Sequence, residues 1–220
     1  MPPVSLGENI LALQTEMDVS RETFERLSLY VALIRRWQKI LNLVSNKSLD
    51  VIWTRHVADS AQLRTHAPKA RVWADLGSGG GFPGLVIAIQ LIETPGALMH
   101  LIESDQRKCV FLREVIRETG AKANVHCGRI EAVLDGIGHV DAITARGLVP
   151  LDRLLELTRH QLNIGAVCIF PRGLQLADEL TRCTKYVNFD LRLVPSRTSE
   201  TSRIVVVRRK EEARRPEMIT

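Results

Sequence analysis

This chain is short of the residues that most directly signal a metal or redox centre. Its four cysteines are Cys109, Cys127, Cys168 and Cys183, and no two of them form a C-x-x-C pair. Each falls in or beside an apolar segment, where a free thiol behaves as a small buried hydrophobe, so buried unpaired thiols are expected. The six histidines lack H-x-x-x-H spacing, and no metal site is predicted. Only two tyrosines occur, Tyr30 and Tyr186, and neither has a lysine four residues later. The Y-x-x-x-K pair of single-domain dehydrogenases is therefore absent. No apolar run approaches the ~20 residues of a membrane span. Residues 1–8 show no basic stretch followed by an apolar core, so a secretory signal is not expected. There is no internal repeat, low-complexity tract or coiled-coil heptad. These absences lead to the expectation of a cytoplasmic monomer without a membrane partner.

What is present fits a packed domain. The chain has 220 residues, 45% of them hydrophobic and 25% charged, a size and balance suited to one medium domain with a small appendage. Formal net charge is +5. The excess is uneven, since residues 201–220 carry six Lys or Arg against three Glu. Such a balance favours a polyanionic partner such as nucleic acid. Arg35, Arg36, Lys39, Arg172, Arg197, Arg203, Arg208 and Arg209 are candidate phosphate contacts, with a merely solvated surface as the alternative for each.

Two kinds of pattern divide the chain. Residues 1–65 read as a helical extension. Phe24, Leu27, Val31, Ile34, Trp37 and Leu41 recur at steps of three and four, one face of a helix. Ser20 is its expected N-cap, and Arg35, Arg36 and Lys39 continue it. A further helix over 50–65 would be capped by Asp50. Residues 66–210 alternate between strands and helices. Strands are expected at 72–76, 98–103, 123–127, 140–145, 166–170, 186–194 and 203–209. Helices are expected at 106–119, from about 151, and at 174–183. That alternation implies an α/β fold with a mostly parallel seven-stranded sheet. The last two strands, joined by a loop alone, should form an antiparallel hairpin. Residues 211–220 read as a basic, frayed tail.

The most informative segment runs from Val72 to Gly84. An apolar run ends in Asp75, breaks into Gly77-Ser78-Gly79-Gly80-Gly81, and Pro83 then opens a second apolar segment. This is a strand, a tight turn and a helix, the ligand-binding turn of an α/β sheet. Gly79, Gly81 and Gly84 satisfy G-x-G-x-x-G, a weak match alone. Glu103, closing the second strand, could hold the ribose of a dinucleotide or of S-adenosylmethionine equally well. Asp75 separates the two. A carboxylate there opposes a pyrophosphate and favours a cationic ligand, such as a sulfonium with its amino group. The D-x-G-x-G order of Asp75 to Gly79 points the same way. A turn with no ligand at all is the bland alternative.

Several segments then occur together in order: Asn42-Leu43-Val44-Ser45, His56-Val57-Ala58-Asp59-Ser60, Asp75 to Gly84, Lys108-Cys109-Val110-Phe111-Leu112 and Ala145-Arg146. Together they resemble the bacterial 16S ribosomal RNA guanine-N7 methyltransferases, the RsmG or glucose-inhibited division protein B family, from about Asn42 to Arg203. The resemblance implies a class I S-adenosylmethionine-dependent methyltransferase fold (Rossmann-like) with S-adenosyl-L-methionine as donor. It also implies the small ribosomal subunit or its RNA as partner, and guanine 527 of that RNA as target. Asp75, Gly77, Gly79, Phe82, Glu103, Ile130, Glu131 and Arg146 become the cofactor-binding candidates, Ile130 and Glu131 bordering the adenine. Glu103 stands where the family usually has Asp, Gly80 where many members have proline, and Pro171-Arg172-Gly173 where Lys-Gly is more usual.

Guanine N7 carries an in-plane lone pair and can attack a sulfonium methyl without a general base. No catalytic acid or base is assigned, and catalysis is expected to be mostly positioning. Arg146 is the candidate for holding the guanine or its backbone, with an ion pair to Asp141 or Asp75 as its structural alternative. His56 is either a packing residue or, with Asn42, part of the pocket floor. Two other functions stay open: a methyltransferase of this fold acting on another substrate, and a non-catalytic RNA-binding module.

Overall fold

A computed structural model describes residues 17–210 of the chain. The first part of the expected extension, 1–16, and the expected tail, 211–220, lie outside the described residues. Seven strands form: β1 Val72–Leu76, β2 Leu98–Glu103, β3 Ala123–Cys127, β4 Ala142–Ala145, β5 Val167–Arg172, β6 Phe189–Pro195 and β7 Arg203–Arg209. They make one sheet in the order β3-β2-β1-β4-β5-β7-β6. Strands β1 to β5 pair in parallel, and β7 runs antiparallel between β5 and β6. The chain leaves β1 toward β2 on one side and returns to place β4 on the other. That reversal opens a crevice at the carboxyl ends of β1, β2 and β4, where α/β sheets bind ligands.

The helices are α1 Arg21–Trp37, α2 Asn46–Leu49, α3 Asp59–Ala61, α4 Gly84–Gln90, α5 Gln106–Thr119, α6 Ile130–Val133, α7 Leu151–Leu157, α8 Arg159–Asn163 and α9 Leu176–Thr181. Successive strand residues point to opposite faces, which feeds two apolar layers. Trp73, Met99, Leu101, Ile169 and Val206 pack in one layer with Leu27, Ile34, Leu85 and Phe111 of α1, α4 and α5. Ala74, Leu76, Ile102, Phe170 and Val207 pack in the other with Leu154, Leu155, Leu162 and Leu176 of α7, α8 and α9. Helix α1 thus completes the main core, and its Tyr30 is fully buried.

Ser20 caps α1 as expected, its side chain accepting from the Thr23 amide. The helix ends earlier than its apolar spacing suggests, at Trp37. Leu41 is buried from the following turn, where Lys39 also lies exposed. The helix expected over 50–65 is replaced by three geometries in succession, a π-helical turn Trp53–Ala58, α3, and a 3₁₀ turn Gln62–His66. Asp50 has helical dihedrals at the C-terminal end of α2 and starts nothing. Three cysteines are buried as expected, but Cys127 is exposed, because it closes the edge strand β3.

Candidate active site

Strand β1 delivers the chain to the crevice at Leu76, and the glycine turn then doubles back under it. Gly77 has φ +64°, and a Cβ there would sit 2.5 Å from Leu148 Cδ1. Only glycine meets both constraints. Gly84 is held by contact: an added Cβ would lie 2.7 Å from Asp75 Oδ2. Two side chains from elsewhere pin the turn. Tyr30 donates its hydroxyl to the Gly80 carbonyl at 2.5 Å. Glu103 accepts the Gly79 amide at 2.8 Å through Oε2 and the Asp105 amide at 2.8 Å through Oε1. The Phe82–Pro83 peptide is cis.

The turn, the end of β2 and the loops after β3 and β4 enclose a cavity of about 480 Å³. Gly77, Gly79, Phe82, Glu103, Ile130, Glu131 and Arg146, all singled out from sequence, line it. Part of its remaining wall comes from Leu43 and Val44. That wall is organised by Gln38, which accepts both their amides at 3.0 and 3.1 Å and donates to the Val44 carbonyl at 2.8 Å. Asn42, expected in the floor, is exposed and does not line the cavity.

Asp75 is placed differently from expectation. It is 1% exposed, lies beneath the turn and does not line the cavity. Thr144 of the neighbouring strand donates to Oδ1 at 2.8 Å, while Oδ2 is buried without a hydrogen bond. Burial pushes its pKa up to about 6, against the opposing pull of Thr144, Ser78, the Gly84 amide and the Arg146 charge. The reason is register: Asp75 pairs laterally with Thr144 inside the sheet, so the turn separates its carboxylate from the cavity.

Arg146 stands at a junction. Its guanidinium carbon is 5.3 Å from the Phe82 ring centroid. Nη1 donates to the Arg55 carbonyl at 3.2 Å, and Nη2 donates to His56 Nδ1 at 2.6 Å. Its ion-pair partner is Asp59, at 3.6 Å, and not the Asp141 or Asp75 of the structural alternative. Asp141 instead accepts the amides of Arg71 and Val72 at the start of β1. His56 packs its ring 4.9 Å from that of Phe82 and lines the cavity, without Asn42 beside it there. Burial first, then the charges of Arg146 and Arg55, lower its pKa to about 4. The imidazole is therefore neutral, with Nδ1 accepting and the proton on Nε2. Beyond His56, Arg146 and Gly147 opens a second cavity of about 750 Å³, which these three residues share with the first. Arg55, Leu174, Ser199 and Arg203 are among the residues that line it.

The basic candidates divide. Arg172 lines the second cavity but is not a free cation. It is half-buried, donates to the Val149 carbonyl at 3.0 Å and faces Glu179 at 3.6 Å. Arg203 borders the same cavity and folds onto the Glu200 and Ser202 carbonyls. Arg35, Arg36 and Lys39 are exposed and line neither cavity, and Arg36 pairs with Glu114. Arg197 lies beside neither, on a neighbouring hollow. Among the described residues, no group of three or more His, Cys, Asp or Glu could hold a metal ion, and no helix is long and apolar enough to cross a membrane.

The family model for GidB, rRNA small subunit methyltransferase G, matches residues 23–204. The chain belongs to the rRNA small subunit methyltransferase G family. A curated member from Parvibaculum lavamentivorans is 51% identical over 208 residues, covering 94% of this chain and 91% of the relative. Another from Methylorubrum populi is 48% identical over 193 residues, covering 88% and 92%. The fold is also that of distant solved structures. Cofactor-bound Rv0187 from MTB has a TM-score of 0.62 at 13% identity, covering 86% of this chain and 91% of that one. The O-methyltransferase TomG from Streptomyces achromogenes, solved in complex with SAM, has a TM-score of 0.57 at 14% identity, covering 84% and 90%. The match to the methyltransferase G family runs from α1 into β7, so it contains Tyr30, Asp59, Glu103 and Arg146.

Proposed function

We propose that this protein transfers the methyl group of S-adenosylmethionine to N7 of a guanine in small-subunit ribosomal RNA, guanine 527 being the target the family resemblance implies. One observation carries the reading: two cavities of different chemistry meet at His56, Arg146 and Gly147. The first has the size of a small-ligand site, a floor of backbone from the glycine turn, and the Glu103 carboxylate at the end of β2. The second is larger and more open, with arginine and hydroxyl side chains beside Asp59, Glu179 and an apolar wall that includes Leu174 and Ile204, a mixture that would admit a nucleotide drawn from its stack.

The residues fit the donor by chemistry. Glu103 would take ribose hydroxyls, Ile130 and Glu131 would border the adenine, and Leu43, Val44 and Phe82 supply apolar wall. Bound there, the sulfonium supplies an electrophilic methyl carbon. Nothing else is needed as acid or base, because N7 already carries its lone pair. The chain's contribution is alignment. Arg146 lies where donor and acceptor cavities join, and its charge is partly offset by Asp59. Methylation leaves the guanine ring cationic, so a guanidinium there serves best on O6 or a phosphate and not against N7.

Mass spectrometry of small-subunit RNA nucleosides, from cells with and without this protein, tests the reading. Loss of one 7-methylguanine is expected, and an unchanged level would overturn it. Titration of the purified protein with S-adenosylmethionine separates an enzyme from a non-catalytic RNA-binding module, which would bind none.

A further inference from the structure

The second cavity does not end at its own rim. Thr198, in its wall, also lines a hollow of about 410 Å³ bordered by Arg64, Thr65, Pro68 and Arg197. Thr65 and Pro68 in turn line a groove of about 430 Å³ that includes His66, Arg192 and Arg208. The three depressions share walls and form one path. It leaves the reaction cavity at the β6–β7 loop, turns around the 3₁₀ segment Gln62–His66, and runs along the β6–β7 hairpin past Arg192 and Arg208.

Charge along this path is net positive. Arg64, Arg197, Arg192 and Arg208 stand beside it, against Asp18 and Asp190. Arg192, Arg197 and Arg208 are exposed. Strand alternation puts Arg192 and Arg208 on one face: Arg192 pairs with Val206 and Asp190 with Arg208 in the hairpin register. Burial lowers the pKa of His66, and Arg197, Arg192 and Arg208 all add to that effect. These guanidiniums therefore converge on one spot from the β6–β7 loop, β6 and β7.

We propose that this path is a track for the phosphodiester backbone of the ribosomal RNA flanking the target guanine. The inference rests on the function proposed above. Guanidiniums spaced along a connected concave surface bind a polyanion without reading its sequence, which is what a strand leading into a reaction cavity requires. A protein partner would instead call for a flat apolar patch, whereas the track is concave and carries four arginines among its lining residues.

The test is a double variant, Arg64→Gln with Arg192→Gln, assayed with transcribed small-subunit RNA at several salt concentrations. The expected result is a roughly tenfold weaker Kd near physiological salt and a log–log salt slope shallower by about 1.5. Affinity for S-adenosylmethionine should be unchanged, which also reports an intact fold. The Arg64→Lys, Arg192→Lys variant should keep most of the slope. A Gln variant with wild-type Kd and slope would overturn the track and leave the proposed function standing. A wild-type protein that binds no RNA would overturn both.

Discussion

Arg146 Nη2 lies 2.6 Å from His56 Nδ1, so a permanent cation and an imidazole share a hydrogen bond at the meeting point of the two cavities. The contact is possible only while the imidazole is neutral. His56 sits on a π-helical turn, a local rewinding that often marks functional positions. The His56 pKa, lowered to about 4 from an ordinary 6.5, is linked to stability. Between those values the unfolded chain binds a proton that the folded chain refuses. The stabilisation is complete above about pH 6.5 and is lost as pH falls toward 4. After discounting for partial exposure, it amounts to about 1–2 kcal/mol. His56→Gln should therefore flatten the fall in denaturant stability between pH 7 and pH 5. Nitrogen NMR of the wild-type imidazole should show the Nε2–H tautomer persisting at pH 5.

Asp75 has the opposite sign. Its folded pKa, raised to about 6 from 3.8, means that the folded protein binds the extra proton. The favourable contribution is full below about pH 3.8 and is lost as pH rises through 6. At pH 7 the buried carboxylate is a net cost of about 2–3 kcal/mol. Asp75→Asn should accordingly raise the unfolding midpoint at pH 7. If the carboxylate acts through the turn on a cationic donor, the same variant should weaken S-adenosylmethionine binding. Calorimetric titration alongside thermal unfolding reads the two effects separately: greater stability with unchanged affinity would remove Asp75 from the binding machinery.

How much of this was legible beforehand follows the range of the interactions. The strand–turn–helix around Gly77 is encoded within a dozen neighbouring residues, by an apolar run, a glycine cluster and a proline, so it could be read directly. Glu103 was legible because it closes a strand. Tyr30, Asp59 and Gln38 were assigned no role in the site. Tyr30 meets Gly80 across 50 positions, and Asp59 meets Thr198 across 139. Such pairings leave no periodicity in the chain. Gln38 is the exception, because its partners lie within eight residues, and a glutamine just past a helix end followed by Asn-Leu-Val is a signal that could have been used. Arg172 was legible only in part: its charge is visible in sequence, but the buried carboxylate opposite it, Glu179, is not.

Tyr30 ties the helical extension to the glycine turn. Its hydroxyl is fully buried and bonded to the Gly80 carbonyl, and its ring packs 5.0 Å from Phe82. Tyr30→Phe keeps the packing and removes only the donor, leaving a buried carbonyl unpaired. The expected cost is about 1–3 kcal/mol in denaturant unfolding. Because the turn itself loses an anchor, affinity for S-adenosylmethionine should fall several-fold in the same variant. Loss of stability without loss of affinity would make Tyr30 a core residue alone.

Asp59 connects the β6–β7 loop to Arg146 at the junction of the two cavities. Oδ1 accepts from Thr198 at 2.7 Å and Gln62 at 3.0 Å, while Oδ2 faces Arg146 at 3.6 Å. The carboxylate thus holds the β6–β7 loop and the guanidinium in one arrangement. Asp59→Ala leaves a largely buried Arg146 without its counter-charge, and removing one partner of such a pair costs about 3–5 kcal/mol. Asp59→Asn is the sharper instrument, since it keeps an acceptor for Thr198 and removes only the charge. With Arg146 less restrained, methyl transfer should fall by at least tenfold while S-adenosylmethionine affinity changes little. Arg146→Ala should show the same split more strongly. If Asp59→Asn and Arg146→Ala together are no worse than Arg146→Ala alone, the aspartate acts through the arginine. Additive losses would mean that Asp59 works on the loop independently.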